Sequence, residues 1–228
     1  MIHHFPLSSK HLGIKRFLFK AISKFISPVN NKYYYSRDYF YERLVSNYND
    51  VDSYLDLKTK VSEADSLHTK HNIFFSKSIK FGSSLSSVKR KLPSPNYQVI
   101  GNPGLKCHIL FYRIFIGRHK VKLEMHFFQN RLFFFNYNFT SLNEPDKMEI
   151  LNIMKSKYGV SMTELKEKRT IKDNDGNYIF IDFNINLSIN YLCPSDDFFN
   201  QANKIFEMRK HRKLTKEIAK YKELYSRL

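Results

Sequence analysis

Apolar residues recur along the chain with two different spacings, and these predict where helices and strands form. Helical spacing marks residues 14–26, where apolar residues follow the order i, i+3, i+4, i+7 and Pro28 ends the run. A second helix is predicted near 37–47, followed by a loop and a further short helix in a Tyr-rich stretch.

Capping residues mark three later helices. A Ser-rich start and Pro93 bound a short helix with Leu85, Val88 and Leu92 on one side. Residues 144–159 predict a longer helix, with Pro145 in its first turn and Gly159 at its end. Ser195 precedes a run of about 32 residues without Pro or Gly, which predicts a helix much longer than average.

Alternation of apolar and polar residues predicts an antiparallel meander. Residues 72–82 are predicted as a strand, and 107–116, 119–129 and 131–139 as three consecutive strands, with Gly117-Arg118 as the first turn. The Asp-Gly pair in 173–177 predicts a further hairpin turn, in preference to a calcium loop, because no Glu closes the loop.

The loop near Asn130 decides what the aromatic run 126–139 faces, because a slip of one residue moves every side chain to the other side of the sheet. A three-residue loop over 129–131, with Asn130 at positive φ, predicts one wholly apolar face. It pairs Phe127, Met125, Leu123 and Val121 with Phe133, Phe135, Tyr137 and Phe139.

These elements predict an α+β fold: a twisted antiparallel meander with helices packed mainly on one face. The predicted divisions are a basic, Tyr-rich helical region over 1–72, an α+β core domain over 73–194, and a long basic helix over 195–228.

The charge of +17 is distributed in blocks. Residues 1–37, 66–143 and 209–228 carry +7, +11 and +6, whereas 38–65 and 144–208 carry −4 and −3. Such blocks indicate either surfaces for a polyanion or segments that neutralise each other in the fold.

The face opposite the apolar one mixes cations with aromatic rings, which suits single-stranded nucleic acid because phosphates need cations and bases need flat partners. The alternative is that a helix covers these rings. The candidate residues on the sheet are Arg113, Lys120, Lys122, His126, Phe111, Phe115, Phe128 and Phe134, joined by Arg209, Lys210, Arg212 and Lys213 of the C-terminal helix.

The helix over 14–26 has three interpretations: it docks on the domain, lies on an anionic membrane surface, or acts as a transit peptide. The candidate membrane-surface residues are Lys15, Arg16, Phe17, Lys20, Lys24 and Phe25.

The sequence predicts no enzyme, metal site or cofactor. His108 and His126 are predicted on opposite faces, so they do not share an ion, and no phosphate-cradling Gly loop is present. The two cysteines predict reduced thiols in a cytoplasmic protein, although a bridge between strand ends stays open. No transmembrane run or secretory signal is expected.

The segment "FGSSLSSVKRKLPSP" (81–95), followed by a meander, resembles the start of the small outer-membrane lipoprotein module of the SmpA/OmlA type over about 60 of 228 residues. Phe81, Gly82, Ser84, Val88 and Leu92 carry the resemblance, with Pro93 matching loosely. It implies a helix before a short sheet that binds other proteins.

Together these features predict a non-enzymatic interaction protein that binds a polyanion such as single-stranded nucleic acid. The alternative is a module that associates with a membrane surface or with a protein assembly through 14–26.

Overall fold

The computed structural model describes residues 37–63, 65–102, 104–161, 163, 165, 170–183 and 186–227. The chain divides into two compact units, 1–44 and 45–228. The predicted boundaries after residues 72 and 194 both fall inside the second unit. Helix α1 (Arg37–Ser46) confirms the helix predicted near 37–47, whereas the helix predicted over 14–26 lies outside the described residues.

One sheet organises the second unit. Within the described residues it has eight strands in the order β1-β6-β7-β8-β5-β4-β3-β2. Among these described strands, only β1 and β6 run parallel, and all other neighbours are antiparallel. The strands are β1 (Leu67–His68), β2 (Tyr97–Gly101), β3 (Cys107–Ile116), β4 (His119–Phe128), β5 (Arg131–Phe139), β6 (Thr170–Lys172), β7 (Tyr178–Asp182) and β8 (Leu187–Leu192).

Among the described residues of this unit, four helices accompany the sheet: α2 (Asp52–Glu63), α3 (Leu85–Lys91), α4 (Glu144–Tyr158) and α5 (Asp196–Arg227). The Ser84 side chain accepts a hydrogen bond from the Ser87 N–H at the start of α3. Asn143 caps α4 in the same way, and Gly159 ends it at φ 64°, in the left-handed region that glycine tolerates. The predicted α+β architecture, the caps of α3 and α4 and the 32-residue final helix are confirmed.

Helices pack on both faces of the sheet, where the sequence predicted them mainly on one. The first face is apolar and packs against α3 and α4; it presents Leu110, Leu123, Met125, Phe135, Ile179 and Tyr191, among others. The second face packs against α2 and the start of α5, and it includes Phe128, Phe133, Phe134, Phe180 and Leu192. The meander therefore forms the middle layer of three.

The turn between β4 and β5 differs from the predicted three-residue loop. Gln129 and Asn130 form a two-residue turn, both at positive φ (48° and 66°), so that Phe128 pairs with Arg131. A β-bulge between His126 and Phe127 then leaves Phe133 as the extra residue.

The bulge restores the predicted register beyond the turn. Met125 pairs with Phe135, and the predicted pairs of Leu123 with Tyr137 and Val121 with Phe139 are confirmed. The predicted pair of Phe127 with Phe133 is wrong, because Leu132 lies opposite Phe127. Phe133 instead joins the second face, 4.2 Å from the Phe198 ring of α5.

The predicted strand over 72–82 is wrong. Ser76 and Ile79 exchange two backbone hydrogen bonds, which close a tight turn rather than extend a ladder. Ile73 and Ile79 are buried in the core of the first face, so the apolar spacing reflects packing of an irregular segment. Strands β1 and β2 were not predicted from the sequence.

Asp173 fastens this irregular segment to the predicted hairpin, which is confirmed between β6 and β7. One carboxylate oxygen accepts from the Ile73 N–H at 2.8 Å and from the Asn177 side-chain amide at 3.0 Å. The other oxygen accepts from the Asn177 N–H at 2.8 Å. The carboxylate is buried, so its hydrogen bonds replace those it would make with water.

Replacing Asp173 with Ala should lower the free energy of unfolding by about 2–3 kcal/mol, since two backbone donors lose a charged acceptor in the interior. Urea unfolding followed by circular dichroism measures the loss. Asp175→Ala, in the same turn but exposed, is the matched control and should change stability by less than about 0.5 kcal/mol. Equal losses in the two variants would contradict the anchoring role.

Candidate polyanion-binding surface

Helices α2 and α5 cover the middle of the second face. Phe128 and Phe134, predicted to stack on bases, are buried beside α2 and α5, and the Phe128 ring lies 5.2 Å from that of Phe198. Phe111 and His126 are buried as well. The alternative prediction, that helices cover these rings, is therefore confirmed for Phe128 and Phe134.

A polar network lies under this cover and joins the sheet to residues 48–54. The Tyr48 hydroxyl donates to Glu124 Oε2 at 2.7 Å. The Tyr54 hydroxyl lies 3.0 Å from His126 Nδ1, and the Asn136 amide donates weakly to Glu124 at 3.5 Å. The only charged acid of strand β4 is thus held by two hydrogen bonds in a largely apolar layer.

Burial controls the titration of this network. It lowers the pKa of His126, although the nearby Glu124 acts in the opposite direction. Burial, and then the Glu124 charge, raise the pKa of Tyr48, and burial is also the main cause of the raised pKa of Tyr54. His126 Nε2 is 3.6 Å from Glu124 Oε2 and makes no hydrogen bond within the described structure. The histidine is therefore held neutral, which suits a structural role.

The margin of the second face stays at the surface. Arg113, Phe115 and Lys120 are exposed and Lys122 is half-buried, and together they line a cavity of about 360 Å³. Arg113 and Lys122 are directly opposite on β3 and β4. Burial, and then the Arg113 charge, lower the pKa of Lys122. Like charges opposite each other repel, so an anion at this point would be stabilised by both.

The second basic region lies on α5. Arg209, Lys210, Arg212 and Lys213, here called the basic cluster, line a cavity of about 710 Å³ against the loop that follows α1. Asp50, Asp52 and Phe206 line it too. Arg209 forms an ion pair with Asp50, whereas Lys210, Arg212 and Lys213 are exposed.

The acidic side of this cavity was missed from the sequence. The negative charge of block 38–65 pointed to it, because one interpretation of the charge blocks was that they neutralise each other in the fold. The Arg209–Asp50 ion pair realises this neutralisation at one point, because it joins the positive block 209–228 to the negative block 38–65. Within the described residues it leaves the other cations of the basic cluster without an acidic partner.

Among the described residues, groups with catalytic or metal-binding chemistry are buried, separated or already paired. Burial raises the pKa of Cys107 to about 12, so its thiol stays protonated, and both cysteines are free. His126 pairs with Ile109 across the sheet, so its side chain lies on the same face as that of Ile109. The neighbouring His108 therefore lies on the other face, as predicted. His119, Asp146 and Glu149 converge, but the Arg118 guanidinium already contacts both carboxylates, at 2.5 and 3.0 Å.

Comparison with known proteins gives no family: no family model, no curated protein and no solved structure matches the chain. The resemblance of 81–95 to the SmpA/OmlA-type module therefore stays a prediction. Each helix that the structure describes is too short or too polar to span a bilayer. The membrane-surface candidates Lys15, Arg16, Phe17, Lys20, Lys24 and Phe25 lie outside the described residues.

Replacing His126 with Gln should flatten the pH dependence of stability. A folded-state pKa below the unfolded value of about 6.5 means that the unfolded chain binds the proton more readily. Wild-type stability is then fully present above about pH 6.5 and falls as the pH drops below it, by at most about 1.4 kcal/mol per pH unit for this group.

Urea unfolding between about pH 5 and 8 measures these slopes. His211→Gln, on the exposed part of α5, is the control and should keep the wild-type slope. Parallel profiles for wild type and His126→Gln would show that His126 takes up its proton equally in both states.

Proposed function

We propose that the protein is a non-enzymatic interaction protein that binds a polyanion, with single-stranded nucleic acid as the candidate ligand. The observation that carries this proposal is the exposed basic part of α5. Residues 209–227, here called distal α5, hold eight Lys or Arg and two acids, and all but the half-buried Arg209 are exposed.

The arrangement of cations supports a strand-like ligand rather than a single ion. Distal α5 is about 28 Å long at 1.5 Å per residue, so its cations are spaced along a line rather than gathered around one point. Cations along such a line would neutralise the phosphates of a flexible strand and release the counterions condensed on it, which gives affinity without sequence choice. The margin at Arg113, Phe115, Lys120 and Lys122 adds a second cationic patch with one exposed ring.

The aromatic rings that are exposed differ from the set expected from the sequence. Phe115 is 68% exposed and Phe206 36%, so these two are available to stack against bases. Phe111, Phe128, Phe134 and His126 are buried, and they do not contribute unless the covering helices move away. The proposed contacts are therefore mainly to phosphate.

The triple variant Lys210→Gln, Arg212→Gln, Lys213→Gln tests the proposal by fluorescence anisotropy with labelled oligothymidylate. At low salt its affinity should fall by about tenfold or more, and the slope of log affinity against log salt should decrease by about 2, since each single-strand phosphate contact contributes about 0.7. Arg113→Gln with Lys122→Gln measures the contribution of the margin in the same assay.

Lys77→Gln, Lys80→Gln, Arg90→Gln is the matched control, because it removes the same charge from exposed positions in 76–91. It should change affinity by less than about threefold. Equal weakening by the two triple variants would mean that net charge alone attracts the strand. Absence of binding by the wild type at low ionic strength would contradict the proposed function.

A further inference from the structure

Distal α5 carries an apolar stripe as well as its cations. Leu214, Ile218, Tyr221 and Tyr225 follow a 4-3-4 spacing and are 47–77% exposed, and the Tyr221 and Tyr225 rings lie parallel, 6.4 Å apart. Every residue from His211 to Arg227 is exposed. Helices in proteins take most of their stability from packing of an apolar face, so a partner for the stripe would stabilise it.

The spacing of the stripe indicates the kind of partner. Alternating 4-3 spacing is the seam of a coiled coil, in which apolar residues occupy positions a and d. At 100° per residue the four residues span about 60° of the helix circumference, and Leu224, 52% exposed, lies beside them at a flanking position. The stripe therefore suits another helix of the same kind.

We infer that distal α5 pairs with distal α5 of a second copy of this chain to form a short parallel two-stranded coiled coil. With Ile218 at position a, Leu214 and Tyr221 take d and Tyr225 takes a. Ile at a with Leu at d favours two strands. The cations at Arg209, Arg212, Lys213, Lys216 and Lys220 then take positions b, c and f, which point away from the seam.

Charge complementarity sets the direction. Glu217 takes position g and Lys222 the following e, the two positions that form ion pairs between parallel helices. Two Glu217–Lys222 pairs would form in the dimer, one on each side. Neither side chain has an ion-pair partner among the described residues. In the antiparallel alignment that opposes Leu214 to Tyr225, Glu217 would face Leu224 and Lys222 would face Thr215, and both pairs are lost.

Self-association should respond to salt in the opposite direction from nucleic-acid binding. Two copies of distal α5 repel through their excess cations, and added salt screens that repulsion. The dimer should therefore tighten as salt rises, while a bound polyanion is released. Pairing through the stripe does not require that the chain binds nucleic acid.

Sedimentation equilibrium of the full chain tests the pairing. A species of twice 27.3 kDa is expected, with tighter association at about 0.5 M salt than at about 0.1 M. Ile218→Asp should weaken association by about a hundredfold or more, because two buried side chains are lost at once. Ala219→Asp, one residue away at an outward position, is the matched control and should stay within about threefold of wild type.

A charge exchange tests the parallel direction. Glu217→Lys should weaken the dimer, and adding Lys222→Glu should restore it. Glu217→Lys with Lys220→Glu has the same net charge but no partner across the seam, so it should stay weak. Equal recovery in both double variants would overturn the parallel pairing. A monomer at every salt concentration, or a dimer unaffected by Ile218→Asp, would overturn the pairing through the stripe.

Discussion

Side chains of a strand alternate between two faces, and here one extra residue decides which face receives which set. The turn at Gln129-Asn130 by itself would oppose Phe135 to Glu124, which would mix aromatic and charged groups on both sides. The bulge at Phe133 shifts β5 by one residue, so that Phe135 lies opposite Met125 instead. Strand β8 pairs with β5 and β7 pairs with β8, so half of the sheet inherits this register.

The same register determines where the chain can bind a partner. It collects Glu124, His126 and Asn136 on the second face, where polar groups need hydrogen-bond partners once they are buried. Tyr48 and Tyr54 supply two of those partners, and Phe198 packs beside them, 5.2 Å from the Tyr54 ring. The covered middle of the sheet thus has a structural role, and the surfaces proposed for binding, the margin at Arg113 and Lys122 and distal α5, lie outside it.

Most of the secondary structure could be predicted from local sequence patterns, because caps, turns and alternation are properties of neighbouring residues. Val88 under a Ser cap and the Asp-Gly hairpin are examples. The strand prediction for 72–82 was wrong because an irregular segment can bury Ile73 and Ile79 with the same spacing that a strand would give. The bulge was not predicted, because a three-residue loop with Asn130 at positive φ gives the same strand pairing beyond the turn without a bulge. The covering of the second face by helices depends on contacts between residues far apart in the sequence, such as Tyr54 and His126, which are 72 positions apart. The pattern of residues along one β-strand does not reveal such contacts. The apolar stripe of distal α5 is present in the sequence, but the high charge of that segment drew attention to its cations instead.

The central claim is that binding takes place on distal α5 and the sheet margin while the second face stays closed. Hydrogen exchange of the full chain, with and without oligothymidylate, tests it most directly, because exchange reports which backbone segments become protected or open. We predict slower exchange in 209–227 and around Arg113–Lys122, with the centres of β4, β5 and α2 unchanged. Faster exchange in α2 together with protection near Phe128 and Phe134, and no change in distal α5, would contradict the account.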